Sequence, residues 1–529
     1  LELLTVMLAN SRTLFRSEIL KFSHLRGIQK VHSATKENQH AVAVDADTAR
    51  QYGEIPGPSP FGLLRGFMPG GRFYKKDFIE YLVSLKNEYG NISKIPGIFG
   101  KRDIVLLYDP EDFKTVFQTQ GSFPIRRGLD TMVHYREVLR KDFYQGVLGV
   151  AVDQGESWWD FRHKVNAAMM KPQITRKYVT AVDEVAQDFV KRLHNLRDHN
   201  SEAPDDFYNE LNMWALESIA NITMDTRLGI FDNTSDKNVH DVMQNLKVFF
   251  ELTFKLNFMP SLWKYIPTPA YRRLNKSTDD LLAIVQSYVN VGMKKLKENP
   301  DDIENEGVLK KLLEIDPKVA TVMVIDSLFA GVDTTSSGVF SVLYLLAKNP
   351  EKQENLRKEL RTILPEKTSP LTVENTSNLP YLRACIKEAF RLMPVTFGNV
   401  RTTGQDIVLK GYHIPKGTDM LMGNQVVHQQ DKYFERASEY LPERWIRPEN
   451  NKITCPVNAS SHPFAYIPFG FGTRMCIGRR FAEMEIESLV SRFVRNYNIE
   501  WNHPDPKVIS VAINMPVTPL KFRFIEIKS

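Results

Sequence analysis

Cysteine is scarce in this chain: Cys385, Cys455 and Cys476 are the only three in 529 residues. An odd number, far apart and with no C-x-x-C pair, gives neither a disulfide framework nor a structural zinc site, and it fits a reducing compartment. Glycine and proline are modest, 28 and 29 residues, so collagen-like and low-complexity classes are excluded. The N-terminal stretch lacks the uninterrupted apolar run of a secretory signal or of a membrane anchor. A strong charge of one sign is missing too. Lys and Arg number 69 against 63 Asp and Glu, a net charge of +6, too little for the basic stripe of a nucleic-acid binder.

Much of that small surplus sits at the start. Residues 1–36 hold Arg12, Arg16, Lys21, Arg26, Lys30 and Lys36 against Glu2 and Glu18, interleaved with Leu, Ile, Phe and Val. This is the composition of a mitochondrial transit peptide, expected over 1–36. A polar linker is expected over 37–51, followed by the Pro/Gly cluster IPGPSPFG, Ile55 to Gly62, at the edge of a folded unit. Length alone suggests three or four domains, but no second linker follows, so 52–529 reads as one large domain.

Within it, KDFIEYLVSLKNEYG, VTAVDEVAQDFVKRLHNL, NELNMWALESIANIT and DDLLAIVQSYVNVGMKKLKEN repeat apolar residues at helical spacing. Strand-like runs are few and short: SKIPG, DIVLLYD, DIVLKGYHI, TDMLMGN and LKFRFIEIK. The fold class is therefore mainly α with small β-sheets. The longest apolar stretch, Lys318 to Pro350, predicts a helix of roughly 45 Å, stopped at Asn349-Pro350. Asp326 and Asp333 interrupt it seven residues apart, which favours a buried central helix over a bilayer span.

The sharpest motif is PFAYIPFGFGTRMCIGRRFAEME. Phe469, Gly470, Gly472, Arg474, Cys476 and Gly478 form F-G-x-G-x-R-x-C-x-G ahead of an amphipathic helix. The glycines permit a tight loop that sets Cys476 at a helix start, where N–H groups and the helix dipole lower a thiol's pKa. A thiolate so placed is a nucleophile or a metal ligand. Cys385 and Cys455 read as core cysteines.

On this motif and those that follow, the chain over 52–529 resembles the cytochrome P-450 superfamily of haem-thiolate monooxygenases. The resemblance implies that Cys476 is the axial ligand of haem iron. Ala330-Gly331-Val332-Asp333-Thr334-Thr335 lies inside the long helix, where Gly and β-branched Thr favour a locally open ladder and room for a small ligand. It is similar to the family's oxygen-activation motif, which gives Thr334 the oxygen-activating hydroxyl and Asp333 the proton supply. Glu388 and Arg391 match E-x-x-R, and Arg444 of Pro442-Glu443-Arg444-Trp445 would complete a buried triad supporting the cysteine loop. Trp158 and Arg162, four apart on one helix face, resemble a propionate-binding pair, as do Arg401 and Arg474, and Phe469 is carried over as a haem contact.

No flavin or nicotinamide fingerprint occurs, so electrons must come from a partner. Arg383, Lys387, Arg479 and Arg480, with the run Gly478 to Glu485, resemble the ferredoxin-docking residues of mitochondrial members. The tail NYNIEWNHPDP looks most like the insect mitochondrial branch. The resemblance thus implies haem b, O2 as co-substrate, and NADPH acting through ferredoxin reductase and ferredoxin. It also implies a peripheral place on the matrix side of the inner mitochondrial membrane, with no nucleic-acid partner. A lipophilic substrate is expected, xenobiotic as the first reading and an ecdysteroid or other steroid as the alternative; a haem sensor or carrier without turnover is a third. Substrate-selecting loops are expected near 126–150, 228–270 and Val395 to Asn399.

Overall fold

In the computed structural model, which describes residues 48–231, 237–298, 307–447 and 462–528, the long apolar stretch is one unbroken helix, Pro317–Lys348. Asp316 caps it: the carboxylate accepts from the Lys318 and Val319 N–H groups at 2.8 and 2.9 Å, and Pro317 occupies the first helical position. Pro350 stops it by forcing Asn349 out of helical geometry (φ −129°, ψ 74°) and then opens the next helix, Pro350–Ile363. By length and composition the central helix could cross a bilayer, but 78% of its most apolar window is buried inside the protein. Its acids have protein partners. Asp326 forms a buried salt bridge with Arg136 at 2.6 Å, and Asp333 accepts from the Asn212 amide at 3.2 Å.

Around this axis pack the helices Phe207–Met224, Pro380–Leu392 and Arg479–Asn496. Trp214, Leu328, Val332, Phe340, Leu343 and Leu489 belong to one apolar core. Burying side chains of this size stabilises the fold by about 1.5–3 kcal/mol each. The helix periods read from the sequence match Phe78–Tyr89, Val179–Leu196 and Phe207–Met224, while the fourth, Pro269–Glu298, starts ten residues before the expected Asp279. Its first turns bury Tyr271 and Leu274 in the core, but the polar residues Arg272, Arg273, Asn275 and Lys276 around them obscure the period.

Among the described residues ten short strands follow the expected class. They are β1 Ile92–Ile95, β2 Ile104–Leu107, β3 Asn399–Thr402, β4 Ile407–Leu409, β5 Tyr412–Ile414, β6 Asp419–Met422, β7 Tyr497–Trp501, β8 Val508–Val511, β9 Ile513–Pro516 and β10 Phe522–Glu526. A mixed sheet runs β1-β2-β6-β3, with β2 and β6 parallel, and β4-β5, β7-β10 and β8-β9 are antiparallel pairs. The sheet positions the site, because β3 carries Arg401 and opens with Asn399, which meets the cysteine loop. The fold unit spans Ala49–Ser529. The expected leader, the expected linker up to residue 47, and Cys455 lie outside the described residues.

Candidate active site

The cysteine loop is closed by its own backbone. The Gly470 N–H donates to Ile467 O at 3.0 Å, Met475 N–H to Gly472 O at 3.0 Å, and Cys476 N–H to Phe469 O at 2.9 Å. Gly470 and Gly472 both have φ +74°, and a Cβ there would stand 3.0 Å from Asn399 Oδ1 or 3.1 Å from Gln120 Nε2, so any side chain would be both strained and crowded. Cys476 emerges three residues before Arg479–Asn496, with its side chain exposed. Phe469 packs edge-on against Phe390, with ring centroids 5.9 Å apart.

One expectation is corrected here. The helix start does not lower the Cys476 pKa in the chain alone: although the side chain reaches the surface, crowding by protein atoms desolvates the thiol and pushes its pKa up, outweighing the Gly478 N–H and the positive charges of Arg162 and Arg126. A cation on the sulfur would supply the missing stabilisation, since metal ligation deprotonates a thiol outright.

Beside this thiol lies a group of arginines. Arg474 donates from Nε to Pro124 O at 2.8 Å and from Nη2 to Asp153 O at 2.8 Å and Gln154 Oε1 at 3.0 Å, leaving Nη1 buried without a partner among the described residues. Its guanidinium lies 4.0 Å from the centre of the Trp158 ring. The Trp158 N–H is engaged with Val150 O at 3.1 Å, so its contribution is the ring beneath Arg474. Arg162 reaches Asn166 Oδ1 and Met170 Sδ, and Arg401 reaches Gln120 Oε1 and the carbonyls of Val400 and Phe471. Arg126, which the motifs did not single out, donates to Ala151 O at 3.1 Å. Burial lowers the pKa of Arg474 to about 8, of Arg401 to about 9 and of Arg162 to about 10, and neighbouring arginine charges push the same way. Among the described residues these guanidiniums bond carbonyls, amides and a thioether. A flat ligand bearing two carboxylates and a metal would satisfy the orphaned N–H, neutralise the cluster and complete the thiol. The residues present fit haem.

The central helix supplies the other wall. Ala330 is exposed, Thr334 is half-buried, and the Thr334 hydroxyl donates to Ala330 O at 2.5 Å. The expected local opening of the ladder is not found; Pro317–Lys348 stays helical through Ala330–Thr335 because the threonine hydroxyl adds to the carbonyl it meets. Asp333 is buried and faces Phe207–Met224, bonded by Asn212, while the Tyr208 hydroxyl donates to the Asp333 backbone carbonyl at 3.2 Å. Burial pushes the Asp333 pKa up to about 7. Glu485, in the helix after the cysteine, is pushed up to about 8 for the same reason, although the nearby Ser218 and Thr335 hydroxyls act to lower it.

Behind the loop, Glu388 meets Arg391 and Arg444. Arg391 is bidentate on it at 2.7 and 3.0 Å, and Arg444 Nε donates at 3.0 Å. The Trp445 indole at 2.8 Å and the Leu441 N–H at 3.1 Å complete its shell, two partners that the motif alone did not reveal.

Comparison with known proteins agrees with this geometry. The cytochrome P450 family model matches residues 56–524. The chain belongs to the cytochrome P450 family. It is 41% identical over 519 residues to Cytochrome P450 CYP12A2 of Musca domestica, covering 96% of each chain. It is also 41% identical over 479 residues to Probable cytochrome P450 12b2, mitochondrial, of Drosophila melanogaster, covering 90% of this chain and 89% of that one. As a P450 the chain is a haem-dependent monooxygenase that uses O2.

The four basic residues expected on the cysteine side of this P450 differ in their freedom. Arg383 is bidentate on Glu487 at 2.9 and 3.2 Å and also bonds the carbonyls of Thr376 and Ser377. Arg479 pairs with Glu483 at 2.9 Å. Lys387 is exposed, 5.9 Å from the Trp445 ring centre, and Arg480 is exposed beside Glu483 and Glu487. A cavity of about 660 Å³ opens there, lined by Lys387, Trp445, Phe469, Met475 and Arg479.

Proposed function

We propose that this P450 is a mitochondrial enzyme that takes electrons from NADPH through ferredoxin reductase and ferredoxin and inserts one atom of O2 into a lipophilic small molecule, a xenobiotic before a steroid. The observation that carries the site assignment is the cluster of Arg126, Arg162, Arg401 and Arg474 beside the exposed Cys476 thiol. When bound there, haem b supplies the reductive activation of O2 and the transfer of one oxygen atom, the second leaving as water. Cys476 holds the iron. The arginines hold the propionates, with Trp158 supporting Arg474 from below. Thr334 offers a hydroxyl at the pocket wall, Asp333 keeps a proton one residue away, and Phe469 packs the loop on its cysteine side. The Glu388–Arg391–Arg444 triad keeps that loop in register.

The location draws on the basic, acid-poor leader over 1–36 and on the word "mitochondrial" in the names of the Drosophila relatives. Exposed Lys387 and Arg480 fit the acidic surface of a ferredoxin, to which Arg479 and Arg383 add charge already shared with Glu483 and Glu487. Peripheral contact with the matrix face of the inner membrane is supported by the exposed apolar side chains Phe61 (74% exposed), Met68 (60%), Tyr265 (53%) and Ile266 (54%).

The test is reconstitution with ferredoxin, ferredoxin reductase and NADPH, against parallel panels of xenobiotics and ecdysteroid intermediates under isotopically heavy oxygen. Ferredoxin-dependent incorporation of one heavy atom into a xenobiotic is expected. Incorporation only into ecdysteroids would move the chain to the steroid reading, and haem binding without turnover on either panel would favour a sensor.

A further inference from the structure

Asp333 and Asn212 form a buried pair whose hydrogen bonding is half complete. The Asn212 Nδ2 donates to Asp333 Oδ1 at 3.2 Å, while Asp333 Oδ2 and Asn212 Oδ1 are buried and have no partner among the described residues. Two bare oxygens cannot satisfy one another, and each left unpaired is destabilising. A single proton would change that, turning one acceptor into a donor. We propose that Asn212 is a positioning residue that clasps Asp333 as a neutral carboxylic acid, its N–H donating to Oδ1 and the proton on Oδ2 donating back to the amide oxygen. This deepens the reading of Asp333 as the proton-holding acid beside Thr334, and rests on it.

The surroundings favour the neutral form. Tyr208, from the same helix as Asn212, spends its hydroxyl on the Asp333 backbone carbonyl. Asp326, two turns earlier on the central helix, is taken up by Arg136. Glu485, from the helix after the cysteine, has the Ser218 and Thr335 hydroxyls as its near neighbours. Among the described residues no cation pairs with the Asp333 carboxyl, so nothing holds it ionised in the way a salt bridge would. Burial acts in the same direction, with a pKa near 7. An amide suits a neutral acid as partner because it accepts and donates on one edge, whereas Leu does neither and Asp adds a competing charge.

Infrared difference spectroscopy on the haem-loaded full chain, titrated from about pH 6 to about pH 9, reads the carboxyl directly. The expected result is a protonated-carboxyl stretch near pH 6 that Asp333→Asn abolishes, that Asn212→Leu moves to higher frequency, and whose midpoint Asn212→Asp raises by about one pH unit or more. Product formed per NADPH should fall about tenfold in Asn212→Leu with the substrate's spectral binding constant unchanged. No stretch lost in Asp333→Asn, or an unshifted one in Asn212→Leu, overturns the proposal. If Asn212→Leu fails to take up haem, the wild-type, Asp333→Asn and isosteric Asn212→Asp spectra still decide it. Coupling and pH profile unchanged in Asp333→Asn would sink the role of Asp333 itself; both changed there but normal in the Asn212 variants would sink only the clasp.

Discussion

Two arginine clusters flank the cysteine loop, and they are built on opposite principles. Around Glu388 the cations are matched: Arg391 and Arg444 share one carboxylate, and their other N–H groups go to the carbonyls of His428, Ala437, Glu439, Glu435 and Arg436. Around Arg474 they are not matched. Burial and mutual repulsion depress Arg474, Arg401 and Arg162, and one N–H of Arg474 is orphaned. The first network is complete in the polypeptide and works as scaffold. The second is complete only with an anionic ligand, and that incompleteness marks it as a site.

Removing the shared anion should do the greatest damage. Glu388→Ala strands two buried cations and is expected to cost about 3–5 kcal/mol, read from denaturant unfolding and from loss of bound haem; a loss below about 1 kcal/mol, the level of an exposed pair, would show that the matched network is not the scaffold. The other cluster should respond with a split sign. Arg126→Gln and Arg401→Gln relieve repulsion, so the haem-free protein should melt no lower, while haem retention falls about tenfold, or about 1.4 kcal/mol, in transfer to an acceptor globin. Equal destabilisation of both forms would break the comparison, making this cluster scaffold as well.

Glu485 extends the contrast to a buried acid without a cation. The folded chain keeps it protonated up to about pH 8 against a reference of 4.5. Its contribution to stability is therefore full below about pH 4.5 and is lost as pH rises toward about 8. Glu485→Gln should flatten that part of the stability profile, measured by unfolding across pH, and an unchanged profile would mean the acid is ionised in the fold. The smallest effect is expected at the surface. Lys387→Glu and Arg480→Glu should slow ferredoxin-dependent reduction several-fold, most at low ionic strength, with stability unchanged. Arg383→Glu is a poorer probe, because it also breaks the bond to Glu487.

How much of this was legible in the sequence depended on how local the signal was. The central helix, its proline stop and the loop around Cys476 were readable because each is written in contiguous residues. Strand β3 was not, since NVRT carries little apolar alternation and takes its place from pairing with β6. Strands β8 and β9 were hidden by brevity and by Ala512 at φ +72° between them. Arg126 escaped notice because nothing in Pro124-Ile125-Arg126-Arg127 says which arginine turns inward. Asn212 looked like an ordinary polar position in an amphipathic helix, and only packing against Pro317–Lys348 brings it to Asp333. The rise in the Cys476 pKa is hidden for a related reason: a helix start is visible in sequence, whereas the crowding by protein atoms that outweighs it is not.

The central claim is that the unmatched arginines and the exposed thiol together hold a haem whose iron is bound by Cys476. The absorption spectrum of the dithionite-reduced protein with carbon monoxide tests it most directly. The account predicts the strongly red-shifted Soret band of thiolate ligation, lost in Cys476→Ser; an imidazole-type band, or a red-shifted band that survives Cys476→Ser, would contradict it.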